Sequence, residues 1–316
     1  MAKTLFFALF YVAVSCCRLC YAQHHHAQSN NQSLALLPLG GYVIVPSTGF
    51  TTTLVRAKRT GRKGSESLDL INVIIPESFV LRKLLDNKDM GNLGLFVHDE
   101  LLVTMAVLPD LATGQVQWVP IQLDSVASGR KVTWETVAND CYTRLFNYKA
   151  VGGPEIDWSR RRMDLRPVIK RGQQYFTPRQ QVLTEYYVLR NHPTWYPTVG
   201  DNATINCLAK PFAPVDYEQA LESATLVSPN KQVPRIRGEL GTKLLLQKID
   251  GDVYTFWSLT PTIAHGSVAE FGVGDLRFKP KVGLVSGRYA AYFGLSASDV
   301  HNIFFDVVSV EKLSVN

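Results

Sequence analysis

Short runs of aliphatic, β-branched and aromatic residues, each closed off by Gly, Pro, Asn or Asp, recur along nearly the whole chain and leave few architectures open. They occupy residues 42–45, 68–75, 93–97, 101–108, 116–123, 182–189, 242–249, 253–259, 289–294 and 303–310. Such residues suit a pleated, partly buried surface, and the punctuating ones suit turns. Helical spacing is confined to three places. Residues 133–148 put Trp134, Val137, Ala138, Cys141, Leu145 and Phe146 on one stripe, with Thr133 as N-cap. Residues 78–87 group Leu81, Leu84 and Leu85, and residues 216–225 open with Asp216 as a capping residue facing Gln219. The strands do not alternate with helices, which argues against βαβ units. The expected fold is mainly β, a jelly-roll or β-sandwich core with a few inserted short helices.

The N-terminus is of another kind. Lys3 precedes an apolar run at 5–15, and Cys20-Tyr21-Ala22 supplies small residues for cleavage after Ala22. Arg18 cuts the run short of the roughly 20 apolar residues a membrane span needs. Residues 1–22 are therefore expected to be an endoplasmic-reticulum signal peptide, 23–33 a disordered polar leader, and 34–316 a β-rich domain. Of the 33 basic residues, Lys3 and Arg18 leave with the signal, so 31 face 27 acidic ones and the net charge falls from +6 to +4. That surplus alone does not imply nucleic acid. Only Cys141 and Cys207 remain after cleavage. One disulfide between them is the most the domain can form, so the core must hold the fold. Asn31 and Asn202 begin glycosylation sequons that matter if these segments enter the lumen.

Chemistry is sparse. The chain has no G-x-S-x-G, no H-E-x-x-H and no phosphate loop of the P-loop type. His98-Asp99-Glu100 falls between two apolar runs, where a solvated hairpin turn is expected. His24-His25-His26 fits a solvated leader better than a copper or nickel site. No enzyme activity, cofactor or metal is expected. Two basic segments stand out. Residues 58–67 read as a basic, glycine-containing loop, and Arg56 to Lys63 carries five cations. Arg160, Arg161, Arg162, Arg166, Lys170 and Arg171 lie beside Trp158 and Tyr175. Cations that neutralise phosphates, interleaved with rings that stack on bases, hold single-stranded nucleic acid without reading its sequence. The alternative is a solvated basic loop.

Within about 68–192, Leu93-Gly94-Leu95-Phe96-Val97 and residues 101–108 make two neighbouring apolar runs, Val119-Pro120-Ile121-Gln122-Leu123-Asp124 ends in an aspartate, and Ile169-Lys170-Arg171-Gly172 is followed by the run at 182–190. In this order they resemble the paired strands, the aspartate-bearing strand and the later glycine and strand block in the core of the 30K superfamily of plant virus movement proteins. With the signal sequence, the chain is most similar to the movement proteins of emaraviruses. The resemblance implies transport: binding single-stranded viral RNA or nucleocapsid, contacts with the ER membrane and with host proteins of plasmodesmata, self-association, and a location at plasmodesmata or the cell periphery. It singles out Asp124 and Gly172. From the residues alone, Asp124 is expected to accept hydrogen bonds from backbone N–H groups at a strand end. The competing expectation is a secreted β-sandwich glycoprotein that binds a protein or glycan.

Overall fold

Three strands buried on both faces organise the molecule, and their near-continuous apolar sequences are the cause. In the computed structural model the described residues are 41–61, 64–79, 99–110, 112–126, 130–138, 141, 165–190, 204–228, 230–232, 244–257, 276–288 and 304–313. All lie in the compact unit Gly40–Asn316. Among them are fourteen strands: β1 (Gly41–Ile44), β2 (Thr51–Gly61), β3 (Gly64–Ile75), β4 (Glu100–Val107), β5 (Trp118–Ile121), β6 (Leu165–Arg171), β7 (Gln174–Pro178), β8 (Val182–Arg190), β9 (Thr204–Asn206), β10 (Leu245–Asp250), β11 (Val253–Trp257), β12 (Leu276–Lys279), β13 (Gly283–Arg288) and β14 (Phe304–Lys312). The mainly-β expectation holds. The signal, the leader, the runs at 93–97 and 289–294, and most of the helices expected at 78–87 and 133–148 lie outside the described residues.

The strands form two sheets. The larger runs β10-β11-β12-β13-β14-β2-β3-β4-β8-β9, antiparallel except for β8 with β9. The smaller runs β1-β6-β7-β5. Alternate residues of the central strands enter two separate cores. Leu54, Ile71, Val73, Leu101, Val103, Met105, Val182, Tyr186 and Val188 pack with Val43, Leu165 and Ile169 of the smaller sheet. Val55, Leu68, Leu70, Leu102, Ala106, Leu183 and Tyr187 pack with Leu246, Phe256, Leu276, Phe278 and Leu284. The large sheet therefore coils so that β10–β13 cover one face of β2-β3-β4-β8, while the smaller sheet covers the other. Strands covered on both sides are mostly apolar on both faces, so 101–107 and 182–189 read as near-continuous runs, interrupted by Thr104, Thr184 and Glu185, and not as alternation. Full burial of one such side chain contributes about 1.5–3 kcal/mol.

A polar row crosses the second core. Thr53 donates to the Val282 carbonyl at 2.6 Å, Asn72 to the Leu284 carbonyl at 3.0 Å, and Thr104 to Asn72 Oδ1 at 2.9 Å. These bonds seat β13 on the central strands and satisfy polar groups that would be costly to bury alone.

Several expectations change. The loop expected at 58–67 is a hairpin instead: β2 and β3 pair from Thr51↔Ile74 to Gly61↔Gly64. Lys58, Arg59 and Thr60 sit on a strand because β3 and β14 pair with β2 on either side, and residues 64–67 pair with β2. The strand expected at 116–123 stops at Ile121. The helix at 133–148 starts where expected, with Thr136 N–H bonded to Thr133 Oγ1 at 3.3 Å. The C-terminal helix, α1 (Pro214–Val227), starts earlier than its Asp216 suggested. Asp216 occupies the third helical position and accepts from the Ala213 N–H, because Pro214 has no N–H to offer and takes the first turn. No helix among the described residues is long and apolar enough to cross a membrane.

Candidate nucleic-acid interface

The described part of the basic segment before Gly172, Leu165–Arg171, is a strand where a solvated loop was the alternative. Leu165 and Ile169 of β6 enter the first core, so Arg166, Val168 and Lys170 project from the other, outward side of the sheet by the two-residue period; there Lys170 is exposed, Arg166 half-buried and Val168 buried. Strands β6 and β7 join through Gly172-Gln173, with Arg171 opposite Gln174. Gly172 has φ 61°, at the first central position of this two-residue loop, where a hairpin of the type II′ pattern favours glycine. That is the physical reason for glycine at a position the family resemblance also picks out.

The outward face combines cations with rings. Lys170 lies opposite Tyr175, its ammonium 6.0 Å from the ring centroid. Arg166 is beside Tyr42 in the parallel β1–β6 register, and its guanidinium donates to the Pro178 carbonyl at 3.3 Å. Tyr42, Val126 and Val168 form a small cluster on this face, flanked by Ile121, Leu123 and Tyr175. Arg130 and the exposed Lys131 follow closely, with Lys131 bridged to Tyr42. Arg160, Arg161, Arg162 and Trp158 lie outside the described residues, as do Asn31 and Asn202.

Asp124 borders the same face. It lies in a single 3-10 turn, Leu123–Ser125, and is exposed. Its expected role as an acceptor for backbone donors does not appear among the described residues. Ser125 N–H and Oγ both bond to the Gln122 carbonyl, at 3.0 and 2.6 Å, and Val126 N–H bonds to the Leu123 carbonyl at 3.2 Å. The turn closes on backbone carbonyls and one serine, leaving the Asp124 carboxylate to solvent while Leu123 and Val126 anchor it to the cluster.

The seam between the sheets carries a charge network that sequence reasoning missed. Trp118 of β5 donates its indole N–H to Asp69 of β3 at 2.7 Å. Glu311 of β14 lies 3.7 Å from Arg56 of β2 and 3.5 Å from Arg171 of β6. Burial pushes the Asp69 carboxyl above its ordinary value of 3.8, opposed by the Trp118 hydrogen bond and by Arg56 and Arg171, and aided by Glu311. A carboxyl with a raised folded-state pKa holds its proton more tightly folded than unfolded, so stability falls as pH rises from about 3.8 through the raised value. Asp69→Asn keeps an acceptor for Trp118 and should remove this fall. Urea midpoints of the two proteins should diverge in favour of the variant between acid and neutral pH. Parallel curves would show that Asp69 is not the group responsible.

Two other candidates are corrected. Cys141 packs in the first core and Cys207 borders the second, on opposite faces of the central sheet, and they are not joined. Facing layers lie roughly 10 Å apart, whereas a disulfide needs Cα atoms within about 7 Å. Burial drives the Cys207 thiol up to about 12, so it is not a nucleophile near neutrality. Asp99 was expected in a solvated turn, but it is buried and lies 3.9 Å from Arg190, which is buried too. No group of His, Cys, Asp and Glu able to hold a metal occurs among the described residues.

In comparisons with known proteins, the chain matches no family model, no curated sequence and no solved structure.

Proposed function

We propose that this chain is a viral cell-to-cell movement protein that holds single-stranded RNA, free or in ribonucleoprotein, on the outward face of its four-stranded sheet. The observation that carries the reading is Lys170 beside Tyr175, with Arg166 on the same strand face: a phosphate-neutralising group next to a ring available for stacking. The resemblance of residues 119–124, 169–172 and 182–190 to the movement-protein core supports it, because those segments supply this sheet and the strand beneath it. On this reading the ER membrane and host proteins of plasmodesmata are its route, and its chemistry is binding without catalysis. The secreted-binder alternative gains no disulfide to stabilise it.

Fluorescence anisotropy with labelled oligouridylate and a mixed-sequence oligonucleotide should give similar affinities that weaken steeply with salt. Each phosphate that is no longer neutralised flattens the log–log salt slope by about 0.7, so Arg166→Ala with Lys170→Ala should flatten it by about 1.4. Tyr175→Ala should leave the slope in place and cost about 1 kcal/mol, the lower end for base stacking. An unchanged slope in the double variant would return the face to a solvated surface. In leaf epidermis a fluorescent fusion should form puncta paired across cell walls, and a diffuse apoplastic signal would favour the secreted binder.

A further inference from the structure

The Glu311 carboxylate occupies a position suited to a phosphate oxygen. One of its oxygens, Oε2, contacts both Arg56 and Arg171, at 3.7 and 3.5 Å. Those arginines come from the two basic segments that stand out in the sequence, residues 56–63 and 160–171, on different sheets. Two guanidiniums converging on one anionic oxygen form the arrangement by which arginine grips phosphate. Arg171 follows Lys170 on β6 but points to the opposite side of the sheet, toward β14 and β2, so a nucleic-acid strand held by Lys170 reaches the seam by passing around the β6–β7 turn.

The groups meeting there are nearly balanced. Arg56 and Arg171 face Glu311, with Asp69 and the Trp118 indole packed beneath them. Glu311 and Arg56 are about half exposed, with side-chain exposures of 45% and 51%, and Arg171 is 34% exposed. Exposed ion pairs of this kind are individually weak. A polyanion that contacts Lys170 and Arg166 at the same time can therefore displace the carboxylate.

We propose that Glu311 is an intramolecular competitor of RNA. It shields Arg56 and Arg171 until a phosphate chain anchored on β6 displaces it, which extends the binding track from the smaller sheet across the seam to β2. The proposal rests on the RNA-binding reading and adds a regulatory contact to the same face. The device makes binding depend on strand length, since a short oligonucleotide cannot anchor on β6 and reach the seam together.

The test uses the full chain, with oligouridylates of 6 and 20 nucleotides and inorganic pyrophosphate as probes. Glu311→Gln preserves shape and removes the charge. It should tighten binding of the 20-mer about threefold or more and steepen its salt slope by about 0.7, one further phosphate. Glu222→Gln, the same charge change on α1, should do neither. Adding Arg56→Ala and Arg171→Ala to Glu311→Gln should abolish the gain, and pyrophosphate should raise the melting temperature of Glu311→Gln but not of wild type. Equal tightening by Glu222→Gln would reduce the effect to net charge and overturn the proposal. Wild-type binding with no gain in Glu311→Gln overturns it while leaving the RNA reading intact. A pyrophosphate shift without oligouridylate binding by any variant retains the anion seat and rejects RNA as its occupant, and with it the competitor role. Loss of both responses rejects both.

Discussion

Asp99→Ala should destabilise the protein by about 3–5 kcal/mol, the range for breaking a buried ion pair by removing one partner. Asp99 and Arg190 lie at the matching ends of β4 and β8, next to the Glu100↔Leu189 pair, with side chains 4% and 3% exposed. Their separation of 3.9 Å gives the guanidinium an opposite charge in a place water does not reach. Without Asp99, that charge stays buried and uncompensated. Against a typical total of about 5–15 kcal/mol, the loss would consume a large share of the stability, and soluble yield should fall with it. Arg190→Ala should cost a similar amount. Because the pair itself offsets its own desolvation only in part, Asp99→Leu with Arg190→Met should recover most of the loss. Urea unfolding of the four proteins decides the matter. Single variants within about 1 kcal/mol of wild type would show that the site is wet in solution and the pair ornamental.

Gly283→Ala is expected to produce the next largest loss, about 3 kcal/mol or more, through two additive causes. Gly283 has φ 101°, a conformation that residues with a Cβ adopt only under strain. A Cβ placed there would also meet Cβ and Cγ of Asn72 at 2.5 Å. Asn72 cannot retreat cheaply, since it donates to the Leu284 carbonyl and accepts from Thr104 inside the second core. Displacing it breaks the polar row that seats β13. Gly251→Ala separates the two causes: Gly251 also has positive φ, at 60°, but nothing lies within 4 Å of a Cβ built on it. It should cost only about 1–2 kcal/mol, the backbone term alone. Equal losses for the two variants in thermal or urea melts would mean that the packing of β13 on β3 is loose.

Local pattern made much of this fold legible. The runs at 68–75, 101–108 and 182–189 emerged as β3, β4 and β8, and Thr133 caps the helix that follows it. The strands that escaped notice, β2, β6, β7, β9, β12 and β13, are short or carry charged residues or glycines. Arg166, Lys170 and Arg171 on β6 read as loop because cations are depleted in strands, and here β7 and β1 on either side supply the missing support. The candidate site was half visible. Lys170, Arg166 and Tyr175 stood out as residues near one another in sequence, and the pairing of β6 with β7 puts Lys170 and Tyr175 side by side.

The sequence alone determined the element type wherever burial is continuous, because strands covered on both faces are near-continuous apolar runs. Gly172 was singled out by the family resemblance alone, and the structure supplied the reason, a two-residue turn with φ 61°. Only the tertiary structure decided which face each residue takes. A one-residue change of register exchanges the two cores, and a run such as 101–107, apolar but for Thr104, holds little mark of its own register. For the same reason Cys141 and Cys207 fall on opposite faces of the sheet, whatever their count suggested. Glu311 meets Arg56 and Arg171, and Asp69 meets Trp118, across sequence separations that no local pattern spans. Their partners follow from how the two sheets stack, since an ion pair needs only that two charges arrive within a few ångströms of each other.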